Sequence, residues 1–244
     1  YTPRSRTAAV AQIDLELTIP DTDTDSVSSL TLQPGLICTG NVSDSSYLFS
    51  IVDKVTTQIS GSVAKFEGLN VYQGTFLKKK FEYNGSLDQR FILDNPNIDT
   101  SKIRVYISDD LAELGMEYTA VDNIINIDSN SRIFFVREIQ DEKYEIRFGD
   151  GIFGKKLGDY VGSDGKYITI HYMTTDGSEG NGAQAFTYAG IVNNQNDVSQ
   201  TLTKVSLTKK INSQNGSNIE NIDSIRYYSP LIYSSQNRAV TARD

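Results

Sequence analysis

From Ile13 to Ile19 apolar residues occupy every second position, with Asp14, Glu16 and Thr18 between them. Period two puts Ile13, Leu15, Leu17 and Ile19 on one side of an extended chain, so this segment is expected to be a strand with one wet face, ended by Pro20. Shorter runs rich in β-branched and aromatic residues follow at Leu30–Leu32, Tyr47–Val52 and Val55–Ile59. Phe66–Phe81 reads as strand, glycine turn, strand. Phe91–Leu93 and Ile103–Ile107 flank Asp94-Asn95-Pro96-Asn97, a dense turn signal. Asp109–Met116 is expected to make one helical turn, and Ile124–Ile127 and Ile133–Val136 to be strands. Tyr144, Ile146 and Phe148 alternate with Glu145 and Arg147, which predicts one apolar and one charged face, and Tyr167–Met173 is a further strand. Asp150-Gly151, Asp164-Gly165 and Asp176-Gly177 fit tight turns, because glycine takes positive φ without steric cost.

After Phe186 the pattern changes. Gly190–Ser217 is rich in Asn, Gln, Ser and Thr, with one strand-like run at Thr203–Leu207, and Gln214–Asn218 reads as a flexible connector. Ile219, Ile222 and Ile225 then recur every three residues. This predicts a short amphipathic helix, capped by Asn218 and stopped by Pro230. A second helix is expected from Ser235 to Asp244. The expected fold is mainly β: an antiparallel sandwich-like domain from 1–73 and 132–190, a small β subdomain inserted at 74–131, a polar connector at 191–218, and the helical start of a following domain at 219–244.

Composition narrows the chemistry. A formal charge of -8 on 244 residues lacks the basic field that a general nucleic-acid binder needs. Cys38 is the only cysteine, so no internal disulfide and no Cys-based zinc site can form, and a reducing compartment is mildly favoured. His171 is the only histidine, which removes His-rich metal sites, and no nucleophile elbow accompanies it. No apolar run approaches the roughly 20 residues that span a bilayer. The chain opens without Met and stops where a helix is under way, so it reads as an internal piece of a longer protein.

Four local patterns invite functional readings. Gly149, Gly151 and Gly154 match G-x-G-x-x-G, and Gly149–Lys155 matches G-x-x-x-x-G-K, both suggestive of a phosphate cradle. A cradle must open a helix, whereas here the chain runs on through more glycines into another strand, and Lys156 stands where a magnesium-binding Ser or Thr belongs. Gly149, Asp150, Gly151, Gly154, Asp176 and Gly177 are therefore read as structural turns. Asp21–Asp25 alternates carboxylates as a calcium loop does, yet Ser26 and Leu32 replace the Gly and Glu of an EF-hand, so a solvated loop is expected. Glu138, Asp141, Glu142 and Glu145 cluster in sequence and are read as a solvated hairpin tip. Lys78-Lys79-Lys80 reads as a charged sheet edge, or as a rim contact for an acidic partner. No catalytic, metal or cofactor site is expected.

The run Phe148–Lys155, then Ile168–Tyr172, Thr174–Gly177 and Gly180–Gly182, resembles a signature of the baseplate wedge proteins of contractile-tailed, T4-like phages, the inner wedge and baseplate J-like family. Tyr1–Ala9, Phe91–Asp99 with Ile103–Tyr106, and Ile225–Pro230 with Arg238–Asp244 resemble further segments of that family in the same order. The resemblance implies a structural, non-enzymatic component of the virion tail baseplate, assembled in the host cytoplasm. It would pair with a second copy and with other wedge subunits and take part in the change that triggers sheath contraction, with no nucleic-acid, membrane or small-molecule partner. Ile219, Ile222, Ile225, Tyr228 and Arg238 are the candidate interface residues. The competing reading is a secreted or virion β-rich adhesin, whose tyrosines would stack on sugars.

Overall fold

The computed structural model describes residues 3–23, 25–86, 88–121, 127–158 and 167–235. The strands are β1 (Val10–Thr18), β2 (Ser29–Leu32), β3 (Gly35–Val42), β4 (Ser45–Ile51), β5 (Val55–Ser60), β6 (Val63–Gln73), β7 (Thr75–Glu82), β8 (Phe91–Leu93), β9 (Ile98–Ser108), β10 (Met116–Ala120), β11 (Ile133–Ile139), β12 (Lys143–Phe148), β13 (Tyr167–Thr174), β14 (Ala185–Tyr188), β15 (Val192–Asn194) and β16 (Lys204–Gln214). One helix, α1 (Ile222–Ser235), follows.

The first sheet is built on β1, whose period-two pattern appears as strict alternation of burial. Ile13, Leu15 and Leu17 have no accessible surface, each contributing about 2 kcal/mol of burial. β1 pairs with β6 on one side and β16 on the other. β6 also pairs with β4 at one end and β5 at the other, so the sheet divides into two wings, β4-β3-β14 and β5-β2-β15. Leu30, Ile37, Phe49 and Val192 on these wings share one core with β1 and β6, which gives a sandwich-like body.

The second sheet runs β7-β13-β9-β10-β11-β12-β8. All its pairs are antiparallel except β10 with β11, which is parallel at Thr119↔Ile133 and Ala120↔Phe134. The sheet curls until its edge strands meet through side chains. Phe81 on β7 packs edge-on against Phe91 on β8, and Lys79 Nζ donates to Ile92 O at 2.9 Å and pairs with Asp94 at 2.8 Å. The lysine triplet thus lies on an edge strand, as its composition suggested.

The strand pairing corrects several expectations. Among the described residues β11, β12 and β13 pair with one another or with β7–β10 and with no strand of residues 1–73, so the second unit runs from Thr75 to Thr174 rather than over 74–131. Alternation marks β13 as a strand but carries no information about which strands flank it. The expected connector at 191–218 contains β15 and β16, because most polar side chains of β16 face solvent while its backbone pairs with β1. Asp109–Gly115 is a β9–β10 loop without a helical turn, tied by Ser108 Oγ donating to Asp110 O at 2.7 Å. α1 is capped by Asn221, whose Oδ1 accepts from Ser224 N at 2.8 Å, and Pro230 lies inside it rather than ending it. The strand expected at Ile124–Ile127, the Asp164-Gly165 turn and the helix expected beyond Ser235 fall largely outside the described residues.

Candidate functional site: the seam between the sheets

The backbone crosses between the sheets twice, at Gln73-Gly74-Thr75 and at Thr174-Thr175-Asp176, and side chains lock the two crossings together. The buried Gln73 amide accepts from Thr175 Oγ1 at 2.6 Å and Asp176 N at 3.0 Å, and donates to Asp176 Oδ2 at 2.7 Å. Gly74 takes φ +140°, and a Cβ there would lie 2.2 Å from Thr174 O, so no side chain fits where the two crossings touch. Ser50 Oγ donates to Gly74 O at 2.9 Å, and Gly74 N donates to Leu48 O at 2.8 Å.

A second lock uses Asp99, which is 1% exposed. Its carboxylate accepts Ala8 N at 2.9 Å, from the segment leading into β1, and Ser101 N and Oγ on β9 at 3.0 and 2.6 Å. Charge-assisted bonds of this kind offset the cost of burying the carboxylate. Ala8, Val52 and Met173 fill the space between the locks. Lys102 Nζ stands 4.0 Å over the Tyr72 ring, and Arg104 pairs with Asp53 at 3.6 Å, each joining one sheet to the other. Thr7 and Ser217 exchange backbone bonds at 3.0 Å, and Arg4 N donates to Glu220 Oε2 at 3.1 Å. The segments at 4–8 and 217–220 therefore run side by side at this seam.

The Gly149–Gly154 loop closes on itself. Asp150 Oδ1 accepts Ile152 N and Phe153 N at 2.8 Å each, with the Phe153 amide the main cause that holds this carboxyl below its ordinary range. Gly151 N donates to Gly154 O, and Gly154 N to Asp128 O. A Cβ at Gly149 would sit 2.2 Å from Gly154 C, which explains that glycine by close backbone approach. The amides of Gly151, Ile152, Phe153 and Gly154, which would face a phosphate, are occupied, and the described residues 155–158 that follow form no helix. Asp176 belongs to the seam, and Gly177 beside it packs against Asn218 and Ser217.

Other single residues resolve as follows. Asp23 accepts Gln200 Nε2 at 2.7 Å and its carbonyl takes Ser26 N and Val27 N, which holds the acidic loop to its own backbone. Glu145 is buried, against the expectation of a charged outer face. It pairs with Arg90 at 2.5 Å, and that contact pulls its carboxyl below the usual range. Arg90 lies 55 positions away in sequence, so β12 alone gave no sign of it. His171 lies edge-on to Phe76, with Tyr106 also against its ring and no partner for Nε2. Burial, then Lys78 and Lys80, lower its pKa to about 4. Burial pushes the Cys38 thiol up to about 12, which makes it unreactive. Of the candidate interface residues, Ile222 and Tyr228 are 66% and 48% exposed, Ile219 and Ile225 are half-buried, and Arg238 lies outside the described residues. Sequence reasoning passed over Gln73 and Asp99, since nothing local distinguishes them from surface polar residues.

Residues 75–174 match the family described as bacteriophage baseplate wedge protein gp6, third domain. The matched span coincides with the second sheet, from the first residue of β7 to the last of β13. Over its full length the chain is 26% identical to the baseplate wedge protein gp6 of Enterobacteria phage T4, and it spans 37% of that protein. The chain is thus similar along its whole length to a phage baseplate wedge protein, and its second sheet coincides with the stretch that matches that family's third domain.

Proposed function

We propose that this chain is a β-rich structural segment of a phage tail baseplate, in the inner wedge ring. In this reading it assembles with a second copy and with other wedge proteins in the host cytoplasm, and it shares in the conformational change that triggers sheath contraction. The observation that carries the reading is the whole-chain match to a wedge protein, with one sheet coinciding with a domain of that family. The seam supports it physically. Two sheets joined by buried polar locks, with the segments at 4–8 and 217–220 paired beside them, make a unit that transmits displacement rather than absorbing it. The turn reading of Gly149–Gly154 and the half-buried His171, packed against Phe76 and Tyr106 with no hydrogen-bond partner for Nε2, favour a structural over a catalytic role. The reading requires no nucleic acid, membrane or small molecule.

Within this reading α1 is the contact for a neighbouring wedge subunit, since Ile222, Tyr227, Tyr228, Leu231 and Tyr233 are all 48% exposed or more. The test is phage production with Ile222→Asp in the full-length chain. A reduced yield of complete baseplates is expected. An unchanged yield counts against α1 as a contact, and complete baseplates formed without the protein count against the whole reading.

A further inference from the structure

Three Asn-Gly pairs occur in the chain, Asn84-Gly85, Asn181-Gly182 and Asn215-Gly216. Glycine puts no side chain in the way of its own amide, so in such a pair the glycine nitrogen can reach the asparagine side-chain carbon. In a folded protein this depends on whether that nitrogen is free and whether the backbone around it can move.

At two of the pairs the nitrogen is held. Gly182 N donates to Ser213 O at 2.7 Å. The Asn181 side chain is fixed at both ends, Nδ2 donating to Gly216 O at 2.9 Å and Oδ1 accepting Gly216 N at 2.8 Å. That last bond engages the nitrogen that would attack Asn215. Gly216 is also hemmed in, since a Cβ there would lie 2.3 Å from Gly177 O and 2.9 Å from Ala9 Cβ. Asn215 itself is exposed, so exposure alone would rank it with Asn84.

Asn84-Gly85 differs. Both residues are exposed in the loop between β7 and β8, Gly85 takes φ +80°, and a Cβ there would meet nothing within 4 Å. Gly85 N donates to no acceptor among the described residues. Asn84 Oδ1 accepts Ser86 N at 2.9 Å, which draws electrons from the side-chain carbon and offers a donor to the negative charge that builds on this oxygen during attack.

We propose that Asn84 is a site of spontaneous deamidation, and that the Asn181 side chain protects Asn215 from the same reaction. Gly85 N gives its proton to solvent base and bonds to Asn84 Cγ. The Cγ–Nδ2 bond breaks, and the side-chain nitrogen takes a proton from water and leaves as ammonia. Water then opens the cyclic imide at one carbonyl or the other, giving aspartate or isoaspartate. Water is consumed and ammonia released, with no change of oxidation state. Either product makes a chain of net charge -8 one unit more negative. The new carboxylate lies between Tyr83 and Ser86, on the wall of a cleft also lined by Arg90, Arg137, Arg147 and Lys156, whose positive field it weakens. This chemistry holds whatever the role of the chain and does not rest on the wedge reading.

Peptide mapping by mass spectrometry on the full-length protein, incubated in mildly alkaline buffer and sampled over time, reads all three sites at once, since each conversion adds about one dalton. In the folded protein Asn84 is expected to convert fastest, with Asn181 and Asn215 slower by about tenfold or more, the factor imposed when a hydrogen bond must first open. In urea the three rates are expected to converge, because each site is then the same dipeptide in an open chain. Asn181→Ala is expected to raise the Asn215 rate by about tenfold and to leave Asn84 unchanged, with slow hydrogen exchange in β1 showing that the sheet persists. Similar rates at the three sites in the folded protein, or the same ranking in urea, would overturn the proposal. An unchanged Asn215 rate in Asn181→Ala would overturn the protective role of Asn181. Should that variant unfold, the three sites react together and the unsubstituted protein decides alone.

Discussion

Gln73 holds Asp176 across the seam, donating to its Oδ2 at 2.7 Å while accepting its backbone N–H at 3.0 Å. One side chain at the exit of the first sheet thereby fixes the chain as it returns from the second, 103 residues later. Replacing Gln73 with Leu keeps the volume but strands Thr175 Oγ1 and Asp176 N, so a loss of about 2–3 kcal/mol is expected in urea unfolding. A change under about 0.5 kcal/mol would show that the lock contributes nothing.

Gly74→Ala attacks the same point from the backbone. The new methyl would lie 2.2 Å from Thr174 O, on a residue already at φ +140°. Both crossings must shift, and a destabilisation of about 2–4 kcal/mol is expected. Limited proteolysis should show new cleavage near residues 73–75 and 174–176. A variant as resistant as the parent would mean that the crossings are not tightly apposed.

Asp150→Ala should loosen the Gly149–Gly154 loop and leave the sheets intact. Two amides, Ile152 and Phe153, lose their acceptor. Hydrogen exchange is expected to speed up at those two positions, with no change at Ile146 on β12. Unaltered exchange at both amides would rule out the Asx clamp as what orders this loop.

His171 makes stability depend on pH in one direction. Its pKa is about 4 in the folded chain against an ordinary 6.5, because burial and then Lys78 and Lys80 disfavour the cation. Its cross-strand partners are Lys78 and Arg104, and Lys78 is one of the two cations that lower it. The unfolded chain takes up this proton first as pH falls. Stability is therefore full above about 6.5 and is lost progressively down to about 4, by roughly 1–3 kcal/mol. His171→Phe keeps the ring packing and removes the titration, so its unfolding midpoint should fall less over that window. Identical slopes would assign the acid sensitivity to other groups.

How much the sequence disclosed depended on how local the physics was. β1 was legible because one face is buried along its whole length, so period two shows without knowledge of its partners. The Gly149–Gly154 loop was legible as a turn because no helix-forming pattern follows it. The boundaries of the second unit were hidden, since the β7–β13 ladder joins residues up to 99 positions apart, as at Thr75↔Thr174, and alternation does not name a partner. β16 was legible only in part, as the strand-like run at Thr203–Leu207. Most of its Lys, Ser and Thr side chains point to water, Ser213 being buried, so its length shows only in the backbone ladder with β1. Glu145 was misjudged because Arg90, which permits its burial, comes from another strand's approach. Pro230 was expected to stop α1, but the helix continues through it to Ser235.

The central claim is that this chain works as one joined unit within a baseplate wedge. Light scattering after size exclusion, on the full-length protein alone and mixed with the neighbouring baseplate proteins of its phage, tests it most directly. The account predicts a dimer that enters a larger complex of defined mass. A monomer whose mass is unchanged by those proteins would contradict it.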